Sequence, residues 1–293
     1  MAGTTTSDAL PLPLLGKVAL VTGGAGGIGA AICQELARQG ASVVVGYNSS
    51  ADKAATLAAQ LPVAVQPPAA ALAQRAAGQG AADERLADHA ARCEAVAGQR
   101  HVALAAPVTD SAALAALARQ IAEAYGRCDI LVNCAGTTSF VAHHDLDGLG
   151  DELIDSILST NVRGPFAAVR ALRPLLAANG DGLVVNVSSI AAVTAMGSNV
   201  MYCASKAAVD NMTKSLARAL APAIRVASVS PGLSDTEFVK SMDRGWRDQQ
   251  AERTPLRRLA EPREVALAVV ALATHLTFTT GAIIPVDGGR PLQ

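Results

Sequence analysis

The sequence lacks any apolar run long enough to cross a membrane. Of its 293 residues 51% are hydrophobic, and the mean hydropathy is +0.30. The closest approach to a spanning run, residues 265–272, still falls far short of the roughly 18 residues that a transmembrane helix requires. Residues 1–7 also lack the basic start and the apolar stretch of a signal peptide. These absences predict a protein with no membrane partner, which begins with a flexible tail over residues 1–15.

Clustered charge and paired cysteines are missing as well. The 24 basic and 25 acidic residues give a net charge of −1 and are scattered along the chain, so nucleic acid is not predicted as a partner. The five cysteines form no CxxC pair, which is typical of a protein in the reducing cytoplasm. His143 and His144 have no carboxylate or thiol cluster to complete a site, so no metal is predicted.

What the sequence does contain is a tyrosine and a lysine at helical spacing, Tyr202 and Lys206. Residues at i and i+4 share one face of a helix. A phenol ordinarily has a pKa of about 10, and a neighbouring ammonium favours its ionised form. With the hydroxyl of Ser189 alongside, the group suits proton transfer at a C=O or CH–OH centre. Taken alone, the pair is also typical of an ordinary helix surface.

A glycine-rich segment lies between the first predicted strand and the first predicted helix. Residues 17–21 are typical of a short buried strand, residues 22–29 contain five glycines, and residues 30–39 have helical periodicity. Glycines at such a turn let the backbone approach a pyrophosphate, and the helix N-terminus supplies N–H donors. Glycine clusters also occur in ordinary turns, but the flanking strand and helix favour a phosphate site.

Strand and helix patterns alternate along the chain without a dividing linker. Strands are predicted at 18–21, 42–45, 101–104, 130–132, 183–187, 225–229 and 282–286, and helices at 30–39, 111–124, 153–176, 202–220 and 263–273. This alternation predicts one α/β domain over residues 16–293: a single-domain, Rossmann-like, doubly wound parallel sheet with helices on both faces. The ligand crevice is then expected at the carboxyl ends of the strands.

Seven segments, in order, resemble the motifs of the short-chain dehydrogenase/reductases, and the resemblance spans nearly the whole chain. They are the cofactor turn 22–29, the NNAG-like 133–136 with Cys134 in place of the second Asn, Asn161, the strand 185–189, the Tyr202 and Lys206 pair, Pro231-Gly232 with Thr236, and the C-terminal 281–289.

The resemblance implies an enzyme that transfers hydride between a nicotinamide cofactor and a carbonyl carbon. Tyr202 is expected to be the general acid in reduction and the general base in oxidation. Lys206 is expected to lower the pKa of the tyrosine and to hold the nicotinamide ribose, and Ser189 to orient the carbonyl oxygen. Asn161 is expected to position a water that links the lysine to solvent.

The same resemblance implies where the cofactor binds. The predicted contacts are Gly23, Gly27, Ile28, Gly29, Tyr47, Asn48, Ser49, Asn133, Ala135, Gly136, Tyr202, Lys206, Pro231, Gly232 and Thr236. The end of the second strand carries no carboxylate before Asp52, whereas NAD-selective relatives place an acidic side chain there. NADP(H) is therefore the predicted cofactor, with NAD(H) the alternative.

Substrate identity is predicted only as a ketone or secondary alcohol with an apolar body, with a 3-oxoacyl thioester as one option by family analogy. Candidate pocket residues are Phe140, Met196, Val200, Phe238, Met242 and Trp246. An NAD-dependent alcohol dehydrogenase is the nearest alternative. A non-catalytic nucleotide-sensing or scaffold protein is the alternative of another class, and the complete set of catalytic residues argues against it.

Two further expectations concern the surface. Residues 61–100 are longer than one helical crossover needs and predict an insertion on the exposed rim, with a partner-binding or active-site role as the alternative. Relatives are commonly tetramers joined through the two long helices and the C-terminal strand, so a homotetramer is expected. Phe166, Ala167, Ala207 and Ala208 are the small or apolar residues predicted to face other subunits.

Overall fold

A computed structural model describes residues 12–63 and 99–292, with Phe238 described by its backbone alone. The predicted insertion therefore lies almost wholly outside the described residues. The described residues on its two sides, Pro62 and His101, are hydrogen-bonded to each other. His101 Nδ1 accepts from Val43 N at 3.1 Å, and Nε2 therefore donates to Pro62 O, also at 3.1 Å. Burial lowers the pKa of His101, and the neutral ring joins the two ends of this gap.

The described residues form one parallel sheet with the strand order β3-β2-β1-β4-β5-β6-β7. Its strands are β1 Val18–Thr22, β2 Ser42–Tyr47, β3 Val102–Ala105, β4 Ile130–Asn133, β5 Gly182–Val187, β6 Ile224–Pro231 and β7 Ile283–Val286. The order reverses between β1 and β4, which is the switch point where ligands bind in such sheets. The predicted doubly wound sheet is confirmed.

Helices cover both faces of the sheet. They are α1 Gly27–Arg38, α2 Ala51–Gln60, α3 Ser111–Tyr125, α4 Asp151–Leu158, the π-helix Ser159–Arg163, α5 Gly164–Ala177, α6 Ala191–Thr194, α7 Val200–Leu220, α8 Glu237–Lys240, α9 Arg244–Glu252, α10 Pro262–Thr274 and the 3-10 turn Arg290–Leu292. Among these described helices, none combines the length and the apolarity that a membrane crossing demands.

Alternating side chains of each strand enter two separate cores. In β1, Ala19 and Val21 pack with α1, α2 and α10 on one face, whereas Val18 and Leu20 pack with α3, α5 and α7 on the other. Because both faces are covered, β1 is buried at every position. The apolar strand runs in the sequence reflect this burial on two sides.

The N-terminal boundary differs from the predicted tail over residues 1–15. Leu14 is 2% exposed, lies in the core with α1, and donates its N–H to Gln39 O at 2.9 Å. Leu15 is also buried. Residues 12–15 therefore belong to the packed domain, because two leucines in sequence cover the end of α1. Residues 1–11 lie outside the described part of the chain.

The long helix predicted over 153–176 is interrupted by the π-helix Ser159–Arg163. A π turn inserts one extra residue into the helix and rotates the side chains that follow. Asn161 lies within this π-helix and is 1% exposed. One predicted interface residue needs correction, since Ala167 is 2% exposed and belongs to the core. Phe166, at 44%, is exposed as predicted.

Candidate active site

Tyr202 and Lys206 lie on the first two turns of α7. Lys206 Nζ donates to the carbonyl oxygen of Val187 at 2.8 Å and stands 5.7 Å from the centroid of the Tyr202 ring. The lysine is 7% exposed. An ammonium held beside a phenol stabilises the phenolate, which is the charged form of the tyrosine. The structure thus brings this predicted pair together at the end of β5.

Ser189 follows β5 and begins the turn into α6. Its Oγ accepts from Ala191 N at 3.2 Å. Gly197 links this turn to the tyrosine, because a Cβ on Gly197 would lie 3.1 Å from both Ala191 Cβ and Tyr202 Cδ1. Ser189 also lies two residues after Val187, whose carbonyl holds the lysine. The structure therefore places Ser189 on the same side of the cleft as Tyr202.

Asn161 braces the loop that follows β4. Its Oδ1 accepts from Thr137 N at 2.8 Å, and its Nδ2 donates to Thr137 O at 3.0 Å and to Ser205 Oγ at 3.2 Å. A Cβ on Gly136 would lie 3.4 Å from Asn161 Oδ1 and 4.0 Å from Lys206 Nζ. Asn161 and Lys206 therefore face the same glycine, and the four predicted catalytic residues converge at the carboxyl edge of β4 and β5.

The glycine-rich turn after β1 packs against the loop after β4. Gly23 has a φ of +64°, and a Cβ there would lie 2.9 Å from the backbone of Ala135. A Cβ on Gly29 would lie 2.2 Å from Gly23 O. Thr22 Oγ1 accepts from Ala135 N at 3.3 Å and from Cys134 N at 3.2 Å, which fixes the two loops together. The turn therefore has no room for a side chain at Gly23 or Gly29.

The N-terminus of α1 fits a pyrophosphate. Its N-cap is Gly26, and no side chain caps the helix. The first N–H groups of a helix have no partners within it, and they favour an anion. Thr236, at the start of α8, lies against this turn, since a Cβ on Gly27 would be 2.9 Å from Thr236 Cγ2. Residues from both predicted cofactor motifs therefore border one cradle, next to Ile28.

Gly232 closes the other side of the crevice. It follows Pro231 at the end of β6 and donates its N–H to Val286 O at 2.9 Å. A Cβ on Gly232 would lie 3.0 Å from Asp287 Cα. Ser234, at a position that is usually aliphatic in the family motif, is 5% exposed and bridges to Ala260. This loop is therefore held by the C-terminal strand and turn.

Asn133 is placed in the sheet interior rather than on the surface of the crevice. It is 3% exposed, and its Nδ2 donates to Asn186 Oδ1 at 2.9 Å; Asn186 Nδ2 in turn donates to Thr213 Oγ1 at 2.9 Å. Asn133 Oδ1 is buried and has no donor among the described residues. Its side chain ties β4 to β5, so its contribution to the site is made through the strand ends.

A buried carboxylate that sequence reasoning missed lies one turn beyond Lys206. Asp210 is 9% exposed and accepts from Ser228 Oγ at 3.4 Å. Burial raises the pKa of Asp210, against the opposing effects of Ser188, Ser228 and the nearby lysines. The i,i+4 spacing from Lys206 is the one sequence signal that could have found it.

The end of β2 presents polar groups without a carboxylate. Tyr47 is half-buried and accepts through its carbonyl oxygen from Ala106 N at 2.6 Å. Asn48 and Ser49 are exposed beyond it. The first acidic side chain is Asp52, in the first turn of α2. The strand end therefore offers hydrogen-bond donors where an acidic residue would repel a phosphate.

Neither the cysteine in the NNAG-like loop nor the paired histidines supply a second reactive centre. Burial raises the pKa of Cys134 to about 11, against a smaller opposing effect of Lys206. The thiol therefore stays protonated at neutral pH and is a poor nucleophile. His143 Nε2 lies 3.2 Å from Gly197 O. Over residues 12–63 and 99–292, no group of acidic, histidine and cysteine side chains is arranged to hold a metal.

Most members of the predicted pocket set have exposed apolar side chains. Phe140 is 80% exposed, Met196 63%, Val200 40% and Trp246 38%. Met242 is half-buried at the end of α8, and the side chain of Phe238 lies outside the described part. Exposed large apolar side chains can form a binding surface. The exposed members of the predicted pocket set are therefore available to a ligand.

Comparison with known proteins agrees with this geometry. A family model described as "Enoyl-(Acyl carrier protein) reductase" matches residues 68–290, and one described as "short chain dehydrogenase" matches residues 17–79. The chain is 36% identical over 276 residues to a cis-4-hydroxycyclohexanecarboxylate dehydrogenase of Sinomonas cyclohexanicum, covering 93% of this chain and 96% of the relative.

A second relative and a solved structure extend the likeness. The chain is 31% identical to a 3-oxoacyl-[acyl-carrier-protein] reductase of Thermotoga maritima, covering 94% of this chain and 98% of the relative. A short-chain dehydrogenase/reductase of Serratia marcescens superposes with a TM-score of 0.74 at 32% identity, over 95% of this chain and 99% of that one.

The chain belongs to the short-chain dehydrogenase/reductase family. It is an NAD(P)-dependent oxidoreductase that interconverts a carbonyl and a CH–OH group. The non-catalytic alternative is set aside.

Proposed function

We propose that the protein is an NADPH-dependent carbonyl reductase whose catalytic residues are Asn161, Ser189, Tyr202 and Lys206. The observation that carries the proposal is the position of Lys206, buried between the Tyr202 ring and the carbonyl oxygen of Val187. A lysine on the protein surface would keep its ammonium in contact with water. Here the ammonium instead donates a hydrogen bond to the end of β5, beside the phenol.

Each residue has a distinct part in the proposed reduction. A nicotinamide cofactor held by these residues would supply the hydride that the carbonyl carbon receives. Tyr202 gives its phenolic proton to the carbonyl oxygen, which becomes a hydroxyl, and Lys206 stabilises the phenolate left behind. Ser189 donates a hydrogen bond to the same oxygen and orients it. Asn161 holds Thr137 and faces Gly136 with Lys206, at the position from which a water would reach the lysine.

The preference for NADP(H) follows from the end of β2. Asn48 and Ser49 are exposed, and Tyr47 stands at the strand end, so amide and hydroxyl groups surround the place of the 2′ position. Donors of this kind bind a phosphate, whereas an acidic side chain would repel it. The absence of an arginine from 46–51 keeps NAD(H) as the alternative.

The proposed substrate is a carbonyl compound with an apolar body. The exposed Phe140, Met196 and Val200 favour such a body. The relatives are named for a 3-oxoacyl thioester and for a hydroxycyclohexanecarboxylate, both of which join a reacting oxygen-bearing carbon to hydrocarbon. A 3-oxoacyl thioester is the favoured example, and oxidation of a secondary alcohol with NAD is the second candidate.

The test is a comparison of initial rates with NADPH and NADH across a panel of ketones, followed at the absorbance of the reduced nicotinamide. We expect turnover of 3-oxoacyl thioesters and apolar ketones with NADPH at a higher kcat/KM than with NADH. Faster reaction with NADH, or with alcohols and NAD alone, would support the second candidate instead.

Replacing Tyr47 with aspartate is expected to reverse cofactor preference. Tyr47→Asp places a negative charge where the 2′-phosphate would lie, and it supplies an acceptor for the ribose hydroxyls. The ratio of kcat/KM for NADPH to that for NADH should fall at least about tenfold, which is roughly 1.4 kcal/mol of discrimination. Tyr47→Asn is the neutral control and should change the ratio much less. An unchanged ratio in Tyr47→Asp would remove this strand end from cofactor selection.

We further propose a cytoplasmic homotetramer, in which α4 and α5 of two subunits pack antiparallel. The solvent side carries acids on α4, Glu152 and Asp155, and bases on α5, Arg170 and Arg173. A two-fold axis between residues 162 and 163 would set Glu152 against Arg173 and Asp155 against Arg170, since both pairs are centred on the same point of the sequence.

The contacts within one subunit leave these charges available. Arg170 bonds the Ser111 hydroxyl at 3.0 Å and lies 5.8 Å from the centroid of the Phe166 ring. Neither Arg170 nor Arg173 forms an ion pair with a carboxylate in the described part of the chain. Opposite charges at matched positions specify partner and orientation, as in antiparallel helix pairs.

Charge reversal on this helix is expected to halve the assembly. In the double variant Arg170→Glu with Arg173→Glu, an acid would face an acid in all four pairs across the axis. Only the other interface would then hold subunits together. Light scattering should therefore give a mass near twice the 29.7 kDa of one chain. Adding Glu152→Arg and Asp155→Arg to the same chain swaps the pattern and should restore the tetramer. A tetramer in the first variant, or no recovery in the second, would contradict this register.

A further inference from the structure

Asn199 is a fully engaged buried amide for which the proposed chemistry has no role. It is 1% exposed and is the N-cap of α7. Its Oδ1 accepts from Tyr202 N at 2.7 Å. Its Nδ2 donates to Ser139 O at 2.7 Å and to Thr138 Oγ1 at 3.2 Å. A capping side chain needs only its oxygen, so the two donated bonds to another loop go beyond what a cap requires.

Those bonds belong to a set that joins two loops beside the cleft, residues 137–143 and residues 195–199, here called the entrance loops. Val141 N donates to Ser198 O at 2.9 Å. The hydroxyls of Thr138 and Ser198 hydrogen-bond at 2.5 Å, and His143 Nε2 lies 3.2 Å from Gly197 O. Because side-chain and backbone groups both take part, the entrance loops are fixed to each other at several points.

The entrance loops in turn bear directly on the tyrosine. A Cβ on Gly197 would lie 3.1 Å from Tyr202 Cδ1 and 3.0 Å from Cys203 Sγ, so the backbone of the second loop packs against the ring. The first loop begins at Thr137, which both ends of the Asn161 amide hold. Two buried asparagines therefore fix the first loop, Asn161 at its start and Asn199 at its middle.

Each entrance loop also carries one strongly exposed apolar side chain. Phe140 is 80% exposed and follows Ser139, whose carbonyl Asn199 binds. Met196 is 63% exposed and follows Ala195, which has a φ of +53°. A non-glycine residue in the left-handed region is held there by its surroundings. Asn199 thus links the start of the helix that carries Tyr202 to the residue before the exposed phenylalanine.

We propose that Asn199 is a positioning residue that fixes the distance from the Tyr202 hydroxyl to the apolar surface of the entrance loops, and so selects carbonyl substrates whose apolar body reaches Phe140. The inference rests on the proposed assignment of Tyr202 as the proton donor. Rate depends steeply on the placement of the reacting atoms, and a shift of about 1 Å can cost a factor of 100. A substrate held at both its carbonyl and its far end depends on this link, whereas a small ketone does not.

Asn199→Ser separates the two functions of the side chain. Serine keeps an N-cap oxygen for Tyr202 N but is too short to donate to the carbonyl of Ser139. Asn199→Ala removes both functions. Phe140→Ala is the matched substrate-side variant, because it removes the apolar surface and leaves the amide in place.

Two measurements on the full-length protein test the proposal. In Asn199→Ser, amide hydrogen exchange of residues 138–143 should become at least tenfold faster, while that of α7 stays within twofold of the wild type. For the same variant, kcat/KM for a long-chain 3-oxoacyl thioester should fall at least tenfold and that for a small ketone less than threefold, with the Kd of NADPH unchanged. Phe140→Ala should reproduce the kinetic loss without the faster exchange.

The outcomes are separable from those of the proposed function. Unchanged exchange at 138–143 in Asn199→Ser would overturn the link, and equal losses for large and small ketones would overturn its part in selectivity. A merely structural role would lower both rates together with the melting temperature. If the wild type reduces no carbonyl compound with either cofactor, the proposed function fails, and the exchange experiment still decides whether Asn199 joins the loops.

Discussion

Tyr202→Phe is expected to lower kcat by about 10³-fold, within the range that a positioned proton donor contributes. Cofactor affinity should stay within twofold of the wild type, because the phenylalanine ring fills the same space against Gly197 and beside Lys206. The variant loses only the proton that the carbonyl oxygen must receive. Steady-state rates with NADPH and a fluorescence titration of the same cofactor measure the two quantities separately.

Lys206→Met provides the contrast for this prediction. It removes the ammonium that supports the phenolate, and it deprives the partly buried carbonyl oxygen of Val187 of this donor. We expect kcat and cofactor affinity to fall together, since the same side chain is proposed to hold the nicotinamide ribose. Retention of more than about a tenth of kcat in Tyr202→Phe would remove the tyrosine from the acid–base role.

The sequence could predict this pair because its signal is local. Spacing of four residues on a helix brings two side chains to one face whatever the rest of the fold does. The glycine-rich turn is equally local, since its flanking strand and helix define where the turn lies. The alternation of strand and helix patterns likewise indicated a sheet with helices on both faces, which the two cores confirm.

The π turn at Ser159–Arg163 had no comparable signal. Its five residues are compatible with a regular α-helix, and the predicted helix ran through them. What decides the π geometry is tertiary: the Asn161 amide finds both the N–H and the carbonyl of Thr137, a residue 24 positions away. Hydrogen bonds between distant segments cannot be read from periodicity, so the contacts of Asn161 required the structure.

Asn199 shows the same limit of sequence-based prediction. An asparagine three residues before Tyr202 is a recognisable N-cap signal, and the cap could have been predicted. Its bonds to Thr138 and Ser139 could not, because they join segments about 60 residues apart. Sequence reasoning therefore predicted a set of catalytic residues, whereas the contacts that hold those residues in place emerged only from the fold.

Gly29→Ala should impair both folding and cofactor binding, although alanine is the better helix former. Gly29 is the third residue of α1, where helix propensity alone would favour alanine by up to about 1 kcal/mol. The new Cβ would lie 2.2 Å from Gly23 O and 2.9 Å from Gly24 Cα. Both are backbone atoms of the cofactor turn, so no side-chain rotation relieves the clash. Overpacking of this kind typically costs 1–3 kcal/mol.

The steric cost is expected to exceed the propensity gain, for a net destabilisation of about 2 kcal/mol. Because the cofactor requires the undistorted turn, we expect a similar cost in binding free energy. The Kd of NADPH should therefore rise roughly 30-fold. Denaturant unfolding and a fluorescence titration measure the two losses. Gly26→Ala is the control for stability. Its Cβ would lie 3.3 Å from Gly23 O, and the φ of −79° at this position is one that alanine adopts readily. Equal stability of Gly29→Ala and Gly26→Ala would show that the turn yields to a methyl group, and the close approach of Gly29 to Gly23 would then not be what shapes the cofactor site.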